Sequence, residues 1–575
     1  MKKIICKQSE KIYWYILALI LIHSVNIGRT YMPYFLPDEL GYWAGAAWIN
    51  HIDWSPVISQ GGYYGWGYGI FLAPLVKIFS GKWLYYSAIL LNIAMNIIMF
   101  MLLVEIYKRM KPGCKKKEIY LCSLCVTSYS YICVYTQLTM SEILLSVFFI
   151  LSVYCLYWYM EKPGILRILC LAICLSFMVF THFRMLVIVI AVAFSFVLIK
   201  KYPIGGKNIH YLAGIVFLIV FLILGMIIKN ALVQEQYMCQ NSTYNMQNDS
   251  ILDRLSGLLN VFTIKFWKDF YISLIAKWFY IGLASLYMII WGILYLFKSL
   301  FEITRLQEQN VENMKNRVVS GYILSSFILA FLLNVYTMSK PERIDQLYYG
   351  RYVENIILPI IGIGILFVQE LFGVKKFFVL NIFFLASSLL LYSYTNVHSI
   401  IVENVLPLQC AGFAGLPINE ENYGVMYSFG AILVYFTLIM TLYLLVKKKT
   451  IFICGICMIW IIISNFALNR VIYQEEMQKR YNDIRETALV LTELENEDKE
   501  IYYVVNTKEG QAYYDSFFLQ FCLKDITLHI IEDISYIDKV KICVVNKQIS
   551  NLYFEQLNNS NILWENDRCY ILSDE

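Results

Sequence analysis

Residues 211–228 read YLAGIVFLIVFLILGMII, a run without charge, proline or amide side chain. As a helix, rising about 1.5 Å per residue, it covers most of a hydrocarbon core about 30 Å thick. Working outward, the same reading finds about thirteen runs of this kind, near 12–28, 83–106, 119–136, 140–160, 165–182, 185–199, 211–228, 275–297, 318–337, 353–368, 377–393, 424–446 and 450–468. Over the 575 residues, 59% are hydrophobic and 15% charged, against about a quarter charged in ordinary soluble domains. The chain therefore reads as a polytopic helical membrane protein. Soluble enzymes, disordered chains and disulfide scaffolds are excluded. The N-terminal MKKIICKQSEK and its apolar run have the outline of a signal peptide. No small-x-small site follows and many more runs do, so an uncleaved first helix is expected.

A net charge of +5 hides an asymmetry. Residues 470–575 hold 11 basic and 20 acidic side chains, leaving 36 basic and 22 acidic in the rest, so −9 in the tail is set against +14. With a cytoplasmic N-terminus, the segments 1–11, 107–118, 161–167, 200–210, 298–317, 369–376 and 447–449 lie inside and hold 24 Lys and Arg, including KRMKPGCKKK at 108–117. The longer outer segments ahead of the tail hold 11, with Lys277 inside a run, as the positive-inside rule requires. An odd number of crossings puts the acidic tail outside. Nothing in this distribution suggests a nucleic-acid partner.

The chain divides into a membrane domain, 1–470, and an extracytoplasmic region, 471–575. In the latter a charged stalk helix, 471–498, precedes β-rich runs at 501–506, 526–531, 540–546 and 568–572, a small α/β domain. It carries no phosphate loop, metal-ligand spacing or nucleophile motif, and His529 reads as a packed residue. Most of the 15 cysteines fall in apolar runs and read as small hydrophobes, the Cys454-x-x-Cys457 pair included. Cys522, Cys543 and Cys569 in the tail allow one disulfide.

Span centres are nearly free of ionisable residues, whereas polar groups gather at the outer ends. The first outer loop, 29–82, contains PDELGYW at 37–43 and glycines at 61–69 that follow no strand. Asp38 and Glu39 fit a helix N-terminus, where acids accept free amides. They also fit a carboxylate at the membrane boundary, flanked by Tyr34, Tyr42 and Trp43, that accepts a proton from a hydroxyl. Thr139 and Glu142, in TMSE, have capping-box spacing. His182 and Arg184 occupy a tight outer turn, where the arginine either snorkels or binds a headgroup-level phosphate. Residues 339–359, SKPERIDQLYYGRYVENIILP, gather Lys340, Arg343 and Arg351 with Glu342, Asp345 and Glu354. They read as an ion-paired loop or as a cationic pocket for a lipid-borne phosphate, with Tyr348, Tyr349 and Tyr352 to seat a sugar. The stretch 251–271 is amphipathic and expected along the membrane surface.

This layout resembles the GT-C superfamily, nearest its protein mannosyltransferase/aminoarabinose transferase-like branch. PDELGYW, the TMSE turn, the arginine after the fifth run and YYGRYVE carry the resemblance, which covers most of 1–470; the tail has none. It implies transfer of a sugar from a polyprenyl-phosphate carrier to an acceptor hydroxyl on the outer face of the cytoplasmic membrane. The acceptor is an envelope glycan, a lipid or a protein. Asp38 is then the general base, acting with inversion. Arg184 and Arg351, followed by Arg343 and Lys340, face the phosphate, while Glu39, Glu142 and Glu354 position hydroxyls beside Tyr42, His182, Tyr349 and Tyr352. Some relatives bind a divalent metal through their acids and others need none. A proline often follows the last glutamate of a YGRYVE-like motif, where this chain has Asn355.

Two other classes fit the same features. A lipid-linked glycan polymerase or ligase usually concentrates its arginines in one long outer loop. A flippase or transporter of lipid-linked sugars carries polar residues through its spans; Asn92 and Asn96 are the nearest instance and read as interhelical hydrogen bonds.

Overall fold

The computed structural model describes residues 2–34, 38–58, 64–201, 204, 208–237, 263–301, 311–398, 407–413, 437, 450–472, 475–494, 501–505, 511–531, 542–553 and 561–573. Helices dominate, because a backbone in lipid satisfies its own amides only within a helix or a closed barrel. In chain order they are α1 (Lys2–Ser24), α2 (Asp38–Ile49), α3 (Ser55–Ile58), α4 (Gly67–Ile78), α5 (Gly81–Met110), α6 (Lys116–Thr127), α7 (Ser130–Thr136), α8 (Glu142–Glu161), α9 (Ile165–Thr181), α10 (Leu186–Lys201) and α11 (Asn208–Leu232). There follow α12 (Ile264–Ala284), α13 (Met288–Phe301), α14 (Val311–Thr337), α15 (Ile344–Leu347), α16 (Arg351–Leu371), α17 (Val374–Val397) and α18 (Thr450–Ile472). Among the described residues seven helical stretches are long and apolar enough to cross a membrane, or nine when each of two bent pairs is taken as one span. Ile12–Ser24, Gly67–Ile78, Ile165–Thr181 and Thr450–Phe466 are shorter apolar helices. The chain is a multi-pass membrane protein. The run expected at 424–446 lies outside the described residues apart from Thr437.

The bundle is not concentric with its hydropathy. The most apolar span, Ile209–Tyr237, has almost no fully buried residue in its apolar stretch, whereas Arg351–Leu371 is almost wholly enclosed. Lipid-facing helices can be uniformly apolar; the enclosed one can carry Arg351 and Glu354 because other protein groups, not lipid, surround them.

One expectation is corrected. The run 275–297 is not one helix: the chain turns by 103° between α12 and α13. Leu286 and Tyr287 take positive φ, 49° and 62°, and Tyr287 N–H closes on the Gly282 carbonyl at 2.7 Å. No glycine or proline marks the turn, and Tyr287 packs its ring against Phe377 and Phe384. Tertiary contact offsets what left-handed conformation costs a residue with a Cβ. The stretch 251–271 is described only from 263 onward, where it forms the first turns of α12.

Cys454-x-x-Cys457 on α18 also has a counterpart that the sequence reading overlooked, Cys122-x-x-Cys125 on α6. All four are buried, and the Cys125 thiol donates to the Cys454 carbonyl at 3.4 Å.

The tail opens with α19 (Glu475–Leu494). Then come β1 (Ile501–Val504), α20 (Gln511–Cys522), β2 (Leu528–Ile531), β3 (Ile542–Asn546), β4 (Asn561–Glu565) and β5 (Cys569–Ser573). The sheet order is β2-β1-β3-β5-β4, parallel across β2, β1 and β3 and antiparallel thereafter. Strand β4 was not anticipated: NILWE is an exposed edge strand, so burial leaves little imprint on its composition. His529 stacks on Tyr502, as a packed residue should. Cys522, Cys543 and Cys569 are free thiols, not a disulfide.

Candidate active site

Four segments far apart in sequence meet at one end of the bundle: the start of α2, the break before α8, the turn between α9 and α10, and the start of α16. Local sequence explains their meeting. Gly65 and Gly67 lie against the end of α9, where a Cβ would sit 2.1 Å from the Thr181 carbonyl oxygen and 2.3 Å from its hydroxyl. Only glycine allows that approach, which brings the first loop beside His182 and Arg184.

The charged groups form a chain. Arg351 donates from Nη1 to Asp38 Oδ2 at 2.7 Å and from Nε to Glu142 Oε1 at 2.5 Å. Arg184 reaches the same Glu142 oxygen at 3.7 Å. Glu142 is fully buried, both arginine side chains are 7% exposed, and Asp38 is 14% exposed. Two acids alternate with two guanidiniums, which is how buried charge is tolerated. The arrangement also corrects the capping-box reading of Thr139 and Glu142: Ser141 stands at the N-cap without a side-chain cap bond, and Glu142 serves the arginines.

Arg184 is the incomplete member. Its Nε, Nη1 and Nη2 are buried yet make no hydrogen bond among the described residues. Its guanidinium lies 4.3 Å from the centre of the Tyr352 ring. A buried guanidinium with five donors and no acceptor is suited to a tetrahedral anion, which it can meet through two donors at once. The second oxygen of Glu142 is likewise without a partner among the described residues.

Aromatics line the same region. Tyr42 shares a 2.8 Å hydrogen bond with Ser141 and packs against Tyr64 and Tyr68. Burial and then the neighbouring Asp38 push the Tyr64 hydroxyl well above the ordinary tyrosine value, so it remains a donor to Asp38. Tyr349 and Tyr352 meet edge to face at 4.7 Å, and Tyr352 also faces His182, whose Nδ1 accepts from Arg184 N–H. One helical turn into α16, Glu354 accepts from Tyr280 at 2.6 Å and Tyr129 at 3.2 Å. Asn355, at the position where proline was expected, donates to the Met185 sulfur at 3.6 Å.

Other candidate residues are placed differently. Glu39 is fully buried and accepts from Tyr34 N–H, Tyr85 hydroxyl, and both N–H and hydroxyl of Thr139, at 2.6–3.0 Å. It ties the first loop to the α7–α8 break. Arg343 forms a two-pronged pair with Asp345, 3.1 Å at each contact, and Lys340 is exposed. Neither bonds to the four-charge chain. Among the described residues no group of three or more His, Cys, Asp and Glu side chains could hold a metal ion. Sequence reasoning overlooked Tyr64, Tyr129 and Tyr280. The signal for Tyr129 and Tyr280 is a tyrosine in an apolar run and for Tyr64 one among the glycines of 61–69, and 46 tyrosines make either signal common.

The helical spans and the small C-terminal sheet share the fold of solved GT-C membrane glycosyltransferases. In particular, the crystal structure of ArnT, the aminoarabinose transferase, from Cupriavidus metallidurans bound to undecaprenyl phosphate matches 99% of this chain over 98% of its own. The TM-score is 0.53 and the identity 9%. The apo structure of the same protein gives 0.52 at 9%. The apo oligosaccharyltransferase of Archaeoglobus fulgidus matches 94% of this chain over 70% of its own, with TM-score 0.45 and 10% identity. No family model and no curated protein matches in sequence.

Proposed function

We propose that this protein is an integral membrane glycosyltransferase. It moves a sugar from a polyprenyl-phosphate carrier to an acceptor hydroxyl on the outer face of the cytoplasmic membrane. The observation that carries the reading is Arg184: a buried, hydrogen-bond-free guanidinium next to an acid–arginine chain, on a fold whose ArnT representative has been crystallised with undecaprenyl phosphate. In this reading residues 1–470 are catalytic, the N-terminus is cytoplasmic and residues 471–575 are extracytoplasmic.

Asp38 takes the proton of the acceptor hydroxyl. The freed oxygen forms a bond to the anomeric carbon while the bond from that carbon to the phosphate oxygen breaks. Configuration inverts and polyprenyl phosphate departs with the bonding pair. Negative charge grows on the leaving phosphate, and fixed cations aimed at it lower the barrier. Arg184 is free to take that role at once. Arg351 must share its fork between Asp38 and the phosphate, so donor binding also loosens its 2.7 Å pair with Asp38. Tyr42, Tyr64, Tyr349 and Tyr352 supply rings and hydroxyls for the sugar. Glu39 holds the Asp38 turn instead of meeting substrate.

The test is incubation of the purified protein with polyprenyl-phosphate sugars, comparing wild type with Asp38→Asn. Wild type should consume donor, and the variant should lose at least about 100-fold in rate, the scale of a general base. An unaffected variant removes Asp38 from the role. Movement of donor across a liposome bilayer without bond cleavage would instead select a transporter of lipid-linked sugars.

A further inference from the structure

The C-terminal region is built into the first outer loop. Thr527 donates to the Asp53 carbonyl at 3.0 Å, and Trp54 Nε1 donates to the Lys524 carbonyl at 2.9 Å. Lys524 in turn caps the end of α4, donating to Val76 and Phe79 carbonyls at 2.8 and 3.3 Å. Tyr31 donates to Asn482 of α19.

One contact reaches the site's own support. Phe521, near the end of α20 and fully buried, sets its ring edge to face against Trp43 at 5.4 Å and against Tyr85 at 6.3 Å. Those two residues hold the Glu39 tie. Tyr85 donates to Glu39 Oε2, and Trp43 Nε1 donates to Thr139 Oγ1, which itself donates to Glu39. Glu39 is the neighbour of Asp38 in the first turn of α2. A ring from the tail therefore braces both sides of the turn that presents Asp38, with no contact to Arg184 or Arg351.

We propose that Phe521 is a positioning residue for Asp38, and that the C-terminal domain is a working part of the site because it keeps α2 in register; this rests on the transferase reading above. A shift of about 1 Å at a reacting group costs on the order of 100-fold, so partial loosening should be visible in turnover. The arginines that meet the donor phosphate stand on α16 and on the turn between α9 and α10, so donor affinity should move far less than turnover.

The full-length protein in detergent is assayed as wild type, Phe521→Ala, Phe521→Leu and Phe517→Ala. Phe517 is an equally buried ring on α20 that packs against Tyr513 and Tyr514. Phe521→Ala should lower kcat about tenfold with donor KM within about twofold, Phe521→Leu about threefold with the same KM, and Phe517→Ala less than twofold. Hydrogen exchange of peptides covering 38–49, read on the same samples, should rise in Phe521→Ala and not in Phe517→Ala. Unchanged kcat and exchange in Phe521→Ala overturn the proposal, as does an equal loss in Phe517→Ala. If Phe521→Ala does not fold, wild-type kcat in Phe521→Leu overturns it. A wild type that transfers no sugar, with exchange still responding to Phe521, would retire the transferase reading and leave the bracing intact.

Discussion

Arg184 and Arg351 face the same buried Glu142 but differ in what removal leaves behind. Arg351→Ala strands Asp38 and leaves Glu142 with its longer 3.7 Å contact to Arg184, and breaking a buried pair on one side costs about 3–5 kcal/mol. Its thermal unfolding in detergent should fall clearly below wild type. Arg184→Ala removes a guanidinium that makes no hydrogen bond and holds Glu142 at 3.7 Å, so unfolding should fall less than in Arg351→Ala while donor KM rises at least about tenfold. Equal destabilisation by both variants would mean that Arg184 is structural. At this scale the sequence was legible in part. Asp38, Glu142, Arg184 and Arg351 stand out as charges beside lipid-length runs. That Glu39 serves the fold while its neighbour Asp38 lies open to the site was not legible, because adjacent residues on a helix point about 100° apart and only the surroundings tell the faces apart.

Among elements, α13 and α16 approach closely enough that backbone touches backbone. A Cβ on Gly364 would sit 1.8 Å from the Met288 carbonyl oxygen, and one on Gly292 would sit 2.1 Å from the Ile360 carbonyl oxygen. Small residues permit such contact between membrane helices, where dispersion replaces the hydrophobic effect as the driving term. Gly364→Ala must push α16 away from α13, costing about 1–3 kcal/mol. Because α16 begins with Arg351, the melting temperature and the rate should fall together; a variant with wild-type melting would deny the close approach. Most spans were legible, since an 18-residue run such as 211–228 needs nothing beyond its composition. The turn at 285–287 was not: its residues are as apolar as the helices on either side, and the bend is held by rings from α17.

For the whole molecule, the charge asymmetry makes a prediction of its own. If the basic segments face the cytoplasm, the tail faces out. Leu552→Cys, at an exposed tail position, should react with an impermeant maleimide on intact cells, whereas Lys116→Cys should react only after permeabilisation. Labelling of both on intact cells, or the reverse pattern, would overturn the orientation. The native cysteines in the described residues are buried or partly buried, so background labelling should be low.

Composition alone determined that this chain is a helical membrane bundle with an acidic tail, because the cost of burying charge in lipid and the length of an apolar helix act on each segment independently. It also marked the polar residues at the span ends as worth watching. Only the tertiary structure decided which of those residues share a site. Asp38, Glu142, Arg184 and Arg351 are brought together by glycines against the end of α9 and by a tie through Glu39, beside which packs a phenylalanine nearly five hundred positions away. Pairing between distant charges depends on packing, and packing is a property of the whole chain that no single run carries.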